Sequence, residues 1–125
     1  MLPNEDRAFL SRAFPGFSDQ GENQMWCVVL PGFCLPEGLT ESASDLLLRL
    51  APGYPDIPPD MWWFSPAVRR IDGRGIPQTE VYEQYLDRIW QRWSRHLPPG
   101  AWRPGIDGLE GYLALVRQEL RTAAA

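Results

Sequence analysis

Apolar residues in this chain come in short blocks separated by proline and glycine. Phe9, Leu10, Ala13 and Phe14 recur at helical spacing, preceded by Asn4, Glu5 and Asp6 and followed by Pro15-Gly16. The pattern predicts a short helix capped by Asn4, with acids in its first turn where they suit the helix dipole. MWCVVL at 25–30 is rich in strand formers and bounded by Pro31-Gly32. SDLLLRLA at 44–51 is nearly continuously apolar and stops at Pro52-Gly53, and MWWFS at 61–65 stops at Pro66. Each of the three reads as a strand. Near the C-terminus Leu109, Tyr112, Leu113, Val116 and Leu120 share one helical face. Asp107, with Glu110 three residues on, has the form of a capping box for a helix over 107–122.

The segment 79–97, TEVYEQYLDRIWQRWSRHL, fits two periods. It holds good helix formers, but its later part alternates: Ile89, Gln91, Trp93 and Arg95 against Trp90, Arg92, Ser94 and His96. Alternation favours a strand, with a turn at Asp87-Arg88. The expectation is a partly irregular excursion over 67–88 and extended chain over 89–93. The choice has a chemical consequence. In extended chain Ser94 and His96 point the same way, roughly 7 Å apart along the backbone. In a helix they would diverge by about 200 degrees. The element order, helix then an antiparallel meander of about four strands then helix, makes residues 1–125 a single α+β domain.

Composition narrows the function classes. At 44% hydrophobic and 22% charged, the 125 residues suit one folded domain with one core. A net charge of −4 argues against non-specific binding of nucleic acid. No apolar run approaches the roughly 20 residues that span a bilayer, and MLPNEDRAFL lacks the basic and apolar regions of a secretory signal. The expectation is a cytoplasmic protein without membrane or nucleic-acid partners. Cys27 and Cys34 are too few for a disulfide framework and, with one histidine, too few for a structural zinc site. Both are read as structural, and no metal or cofactor is expected. All 12 basic residues are arginine. A GC-rich genome produces that bias; it also leaves no lysine amine to capture an activated acyl group.

YPDIPPDMWWF at 54–64 and WQRWSRHLPPGAWRPG at 90–105 carry a resemblance. Ubiquitin-conjugating enzymes have a YPxxPP motif between their third and fourth strands, matched by Tyr54, Pro55, Pro58 and Pro59. Their nucleophilic cysteine precedes a tryptophan by eight residues and a proline by ten. Trp102 and Pro104 fit those positions, and the register then places Ser94 where the cysteine belongs. The chain resembles bacterial E2-like proteins, specifically prokaryotic E2 family E. The resemblance implies a trimmed UBC-like fold and an E2-like carrier of a ubiquitin-like protein. The implied partners are an E1-like, ThiF-type activating enzyme, a ubiquitin-like or multi-ubiquitin protein, and a JAB-type peptidase. Four features depart from the pattern: the cysteine itself; the preceding His-Pro-Asn motif, whose place after MWWFSP is taken by AVRRIDGRGIP; the 34 residues between Pro59 and Ser94, which make 67–88 look like an insertion; and a single helix after Ser94 where ordinary members have two more.

A serine in that position needs a base to take its proton, which a thiol largely does not. Histidine is the side-chain type suited to that work near neutral pH, and His96 is the only one. Ser94 as nucleophile, acylated as an oxyester, and His96 as general base are therefore the candidate catalytic pair. Asp56, Asp60, Asp72 and Asp87 are candidate orienters of His96, and the sequence does not choose among them. Arg92, Arg95 and Trp102 are candidates for holding an acidic partner or substrate. The plainer reading is that the arginines are solvated or stacked on aromatics and that Trp102 is core. Two function classes stay open: a conjugating enzyme, or an inactive E2-variant-like module that presents a ubiquitin-like protein or scaffolds the E1.

Overall fold

The computed structural model describes residues 1–125. Helix α1 (Asn4–Ala13) leads into six strands: β1 (Ser18–Glu22), β2 (Met25–Cys34), β3 (Ala43–Leu50), β4 (Trp62–Ser65), β5 (Tyr82–Tyr85) and β6 (Arg88–Trp93); helix α2 (Leu109–Ala124) follows. The strands form one sheet in the order β1-β2-β3-β4-β6-β5, and every neighbouring pair is antiparallel. This is the α+β, trimmed UBC-like arrangement expected, with both helices on one face. No helix is long and apolar enough to cross a membrane.

The sheet carries two apolar faces, which explains the unbroken Leu46-Leu47-Leu48 run in β3. Leu46 and Leu48 point toward the helices with Val28, Leu30, Trp62, Phe64 and Trp93, against Leu10, Leu113, Val116 and Leu120. Leu47 points the other way, into a smaller cluster with Cys27, Trp63 and Trp90. The four inner strands are those the apolar pattern predicts. The edge strands SDQGE and YEQY are additions to that expectation. Neither holds an apolar run, and pairing with one neighbour is enough to order them.

Pro31-Gly32 does not end β2 as expected. The strand runs through it as a bulge between Leu30 and Phe33, with Gly32 at φ +62° and its N–H donated to Asp45 Oδ1 at 2.9 Å. The bulge shifts parity, so Leu30 and Phe33 both reach the helix-facing core. The hairpin turn expected at Asp87-Arg88 lies one residue earlier, at Leu86-Asp87, both in the left-handed region that a two-residue hairpin requires. The excursion is irregular only to residue 81, where β5 takes over.

Both predicted helix caps are corrected. Pro3, not Asn4, precedes α1, and no side chain caps it. Asp107 does not cap α2; its carboxylate binds the backbone N–H and guanidinium of Arg103. The N–H of Leu109 is instead taken by Asp6 Oδ1 at 2.9 Å, across the domain. Asp6 is 6% exposed and also accepts from the Tyr54 hydroxyl. Gly108 is required here, because a Cβ on it would stand 2.8 Å from Asp6 Oδ1. Burial, helped by the Asp6 carboxylate, pushes the Tyr54 phenol up, so it remains a donor. Asp6 thus fastens α1, the start of α2 and the YPxxPP segment together. Asp6→Ala leaves two donors without partners and is expected to lower stability by about 2–4 kcal/mol in urea denaturation, with Asp6→Asn milder. An unchanged midpoint for Asp6→Ala would remove this role.

Candidate active site

The site is built where β4 begins and β6 ends. Trp62 pairs with Trp93 in the antiparallel register, so continuing each strand outward brings residues 60–61 alongside 94–96. Both tryptophans are fully buried and stack at 6.3 Å, which fixes that end of the sheet. Backbone bonds extend the pairing: Met61 N–H donates to the Arg95 carbonyl at 3.1 Å, and Ser94 N–H to the Gln78 carbonyl at 3.0 Å. Met61 is in the left-handed region at φ +63°. The Tyr112 hydroxyl holds its carbonyl at 3.1 Å, and burial, with the Asp60 charge adding, keeps that phenol protonated. Pro58 and Pro59, with φ fixed by their rings, immediately precede Asp60. Asp60 is thus pinned from both sides.

On this frame the side chains line up. Ser94 Oγ lies 3.2 Å from His96 Nε2, and His96 Nδ1 lies 2.6 Å from Asp60 Oδ1. A carboxylate at that distance accepts, so Nδ1 carries the proton and the Nε2 lone pair faces the serine hydroxyl. This is the arrangement in which a serine is activated by a histidine that an aspartate orients. The His96 and Asp60 side chains are 62% and 57% exposed. A hydrogen bond between side chains so exposed adds little to stability, so the fold does not depend on it.

Of the four candidate aspartates, only Asp60 meets His96. Asp72 is chelated by Arg70, whose guanidinium holds the Asp72 carboxyl well below the usual range. Asp87 sits in the β5–β6 turn, and Asp56 lies exposed in the YPxxPP segment. The pairing of WWF with WQRW carries Asp60, two residues before Trp62, to the end of the sheet that also holds Ser94 and His96, and the left-handed turn at Met61 completes the approach.

The remaining candidates are placed as follows. Arg95 borders Ser94, with Nε 3.1 Å from Glu119 and NH1 2.9 Å from the Pro77 carbonyl. Arg92 lies on the sheet face away from the helices, opposite Trp63, and meets Glu83 at 3.4 Å. The Trp102 indole donates to the Pro55 carbonyl at 2.8 Å and its ring tilts against Tyr54, so Trp102 and the YPxxPP motif hold each other. Pro59 is buried and Pro104 is exposed. Cys27 is buried in the outer apolar cluster, where burial pushes its thiol up; Cys34 is an exposed thiol at the end of β2. Sequence reading passed over Gln91, 2% exposed at a core-facing position. Its amide exchanges bonds with the Val68 backbone and accepts from the Trp93 indole, tying the excursion to β6.

A family model described as prokaryotic E2 family E matches residues 2–123. The chain belongs to that family. Membership in prokaryotic E2 family E carries an E2-like role and, in general, partners of the E1-like and ubiquitin-like kinds. Among curated proteins and solved structures, none matches the chain.

Proposed function

We propose that this member of prokaryotic E2 family E is an acyl carrier. It takes the C-terminus of a ubiquitin-like protein from an E1-like enzyme onto Ser94 as an oxyester and passes it to an acceptor. The observation that carries the reading is the chain of bonds from Ser94 Oγ through His96 to Asp60, at 3.2 Å and 2.6 Å, in a family whose members are E2-like. Ser94 Oγ attacks the carbonyl of the E1 thioester as its proton passes to His96 Nε2. The oxygen–carbon bond forms, the carbon–sulfur bond breaks, and the thiolate leaves with the proton returned by His96. For discharge an acceptor amine attacks the ester; its proton goes to His96 and then to the departing Ser94 oxygen. An ester is less reactive than a thioester, so His96 works in both directions. Asp60 keeps the imidazole in its working tautomer and stabilises the cation that forms. The exposed site becomes shielded from water when the E1 or the ubiquitin-like protein docks on it.

The reaction requires a ThiF-type activating enzyme and a ubiquitin-like or multi-ubiquitin protein; a JAB-type peptidase would process or remove the modifier. The test is incubation with the cognate E1, ATP and ubiquitin-like protein. The expected product is a covalent adduct cleaved by hydroxide and resistant to thiol reductants. Replacing Cys27 and Cys34 together by alanine should leave it in place, since the buried Cys27 thiol, pushed up, is a poor nucleophile and Cys34 lies at the far end of β2 from Ser94. Loss of the adduct in a folded cysteine variant would move the nucleophile. Absence of any adduct on the unaltered chain would leave the E2-variant-like binding module as the better reading.

A further inference from the structure

Ser94 stands between two sides of the surface. His96 and Asp60 lie on one. On the other, Ser94 forms part of the wall of a cleft of about 510 Å³, bounded by the 74–78 loop, Arg70, Arg95 and the Glu119–Ala123 turn of α2. Neither His96 nor Asp60 lines it. That volume is within the range of ligand pockets and holds a short stretch of extended peptide.

The chemistry assigns the two sides. A base that takes the nucleophile's proton must hand it to the leaving group, so both the leaving thiol and the incoming amine occupy the His96 side of the acyl carbon. The acyl chain then extends the opposite way, toward the cleft. The cleft is basic, with Arg70, Arg74 and Arg95 against Glu119, in a chain of net charge −4. Arg70 is saturated by Asp72 and by the main-chain oxygens of Ala123 and Ala125, and Arg95 by Glu119 and the Pro77 carbonyl. Arg74 is different. Its side chain is 80% exposed, and its closest carboxylate, Asp72 at 3.9 Å, is already held by Arg70. Building on the carrier reading, we infer that this cleft receives the extended C-terminal tail of the acyl donor. Arg74 reads a carboxylate side chain within a few residues of the tail's end. A tail with arginine in that place is disfavoured.

The probe is a set of synthetic pentapeptides ending in Gly-Gly as 2-mercaptoethanol thioesters. Asp, Asn or Arg is placed in turn at each of the three preceding positions, and acylation of Ser94 is followed by intact mass. At one position the Asp peptide should react about fivefold faster than the Asn peptide, in line with an exposed charge pair. The Arg peptide should be slower still. The preference should fade at about 0.5 M salt, vanish in Arg74→Ala and invert in Arg74→Glu. Equal rates at all three positions, or an Asp preference that survives Arg74→Glu, overturn the inference. If no peptide thioester acylates Ser94, the carrier reading is decided by the E1-dependent adduct. The cleft is then judged separately by fluorescence anisotropy, titrating the same peptides as labelled free acids onto Ser94→Ala. An Asp preference there upholds the cleft, and equal or absent binding overturns it.

Discussion

Ser94→Ala should abolish the hydroxide-labile adduct, and Ser94→Cys should replace it with one that thiol reductants cleave. The first outcome follows from position: Ser94 Oγ is the hydroxyl held 3.2 Å from the imidazole. The Oγ bonds no other side chain, so its removal leaves the sheet, the Trp62–Trp93 stack and the Ser94 N–H bond to Gln78 in place. Loss of activity is then a loss of chemistry. The second outcome separates nucleophile from base. A thiol is a few per cent ionised at neutral pH and attacks with little help. Ser94→Cys should therefore keep forming its thioester when His96 is also removed. The serine form should not. Intact-mass analysis with and without reductant, across the four combinations of Ser94 or Cys at position 94 and His96 or Ala at 96, reads both effects. A Ser94→Ala variant that still forms the adduct at the normal rate ends the assignment.

How much of this was legible depended on how local the signal was. The inner strands announce themselves through runs such as Leu46-Leu47-Leu48, whose burial follows from their own side chains. SDQGE and YEQY do not, because what orders them is a partner strand. Asp107 and Glu110 have the form of a capping box, yet Arg103 claims the Asp107 carboxylate and Asp6 supplies the cap from the far end of the chain. No local rule sees that exchange. The closeness of Ser94 to His96 was legible because alternation puts the two side chains on one side of extended chain, and the Trp102–Pro104 spacing pointed to Ser94. The third member was not: which aspartate meets His96 is decided by the pairing of β4 with β6, a non-local fact. Arg74 was invisible for a related reason. It lies in the excursion, where no period applies, and gains meaning only from the cleft it shares with Ser94.

His96→Ala should slow acylation of Ser94 by roughly 10²–10⁴-fold, the usual contribution of a positioned general base. Asp60→Ala should slow it less, by about 10- to 100-fold. The size of the Asp60 effect follows from exposure. A unit charge about 4 Å from the imidazolium is worth about 1 kcal/mol in water and about 4 kcal/mol at a typical protein surface. Asp60, 57% exposed, acts between those limits. Asp60→Asn should be milder again, since an exposed amide can turn its oxygen toward Nδ1–H and preserve the tautomer while losing only the charge. None of the three substitutions should shift the denaturation midpoint appreciably, because neither side chain is packed. The measurement is the single-turnover rate of Ser94 acylation. It is joined by a control that a merely structural role would not move: imidazole added to the solvent should restore part of the rate to His96→Ala, whose site is open to it, and none to Ser94→Ala. If His96→Ala and Asp60→Ala both acylate at the unaltered rate, Ser94 works without its neighbours and the bonded chain is only a feature of the surface.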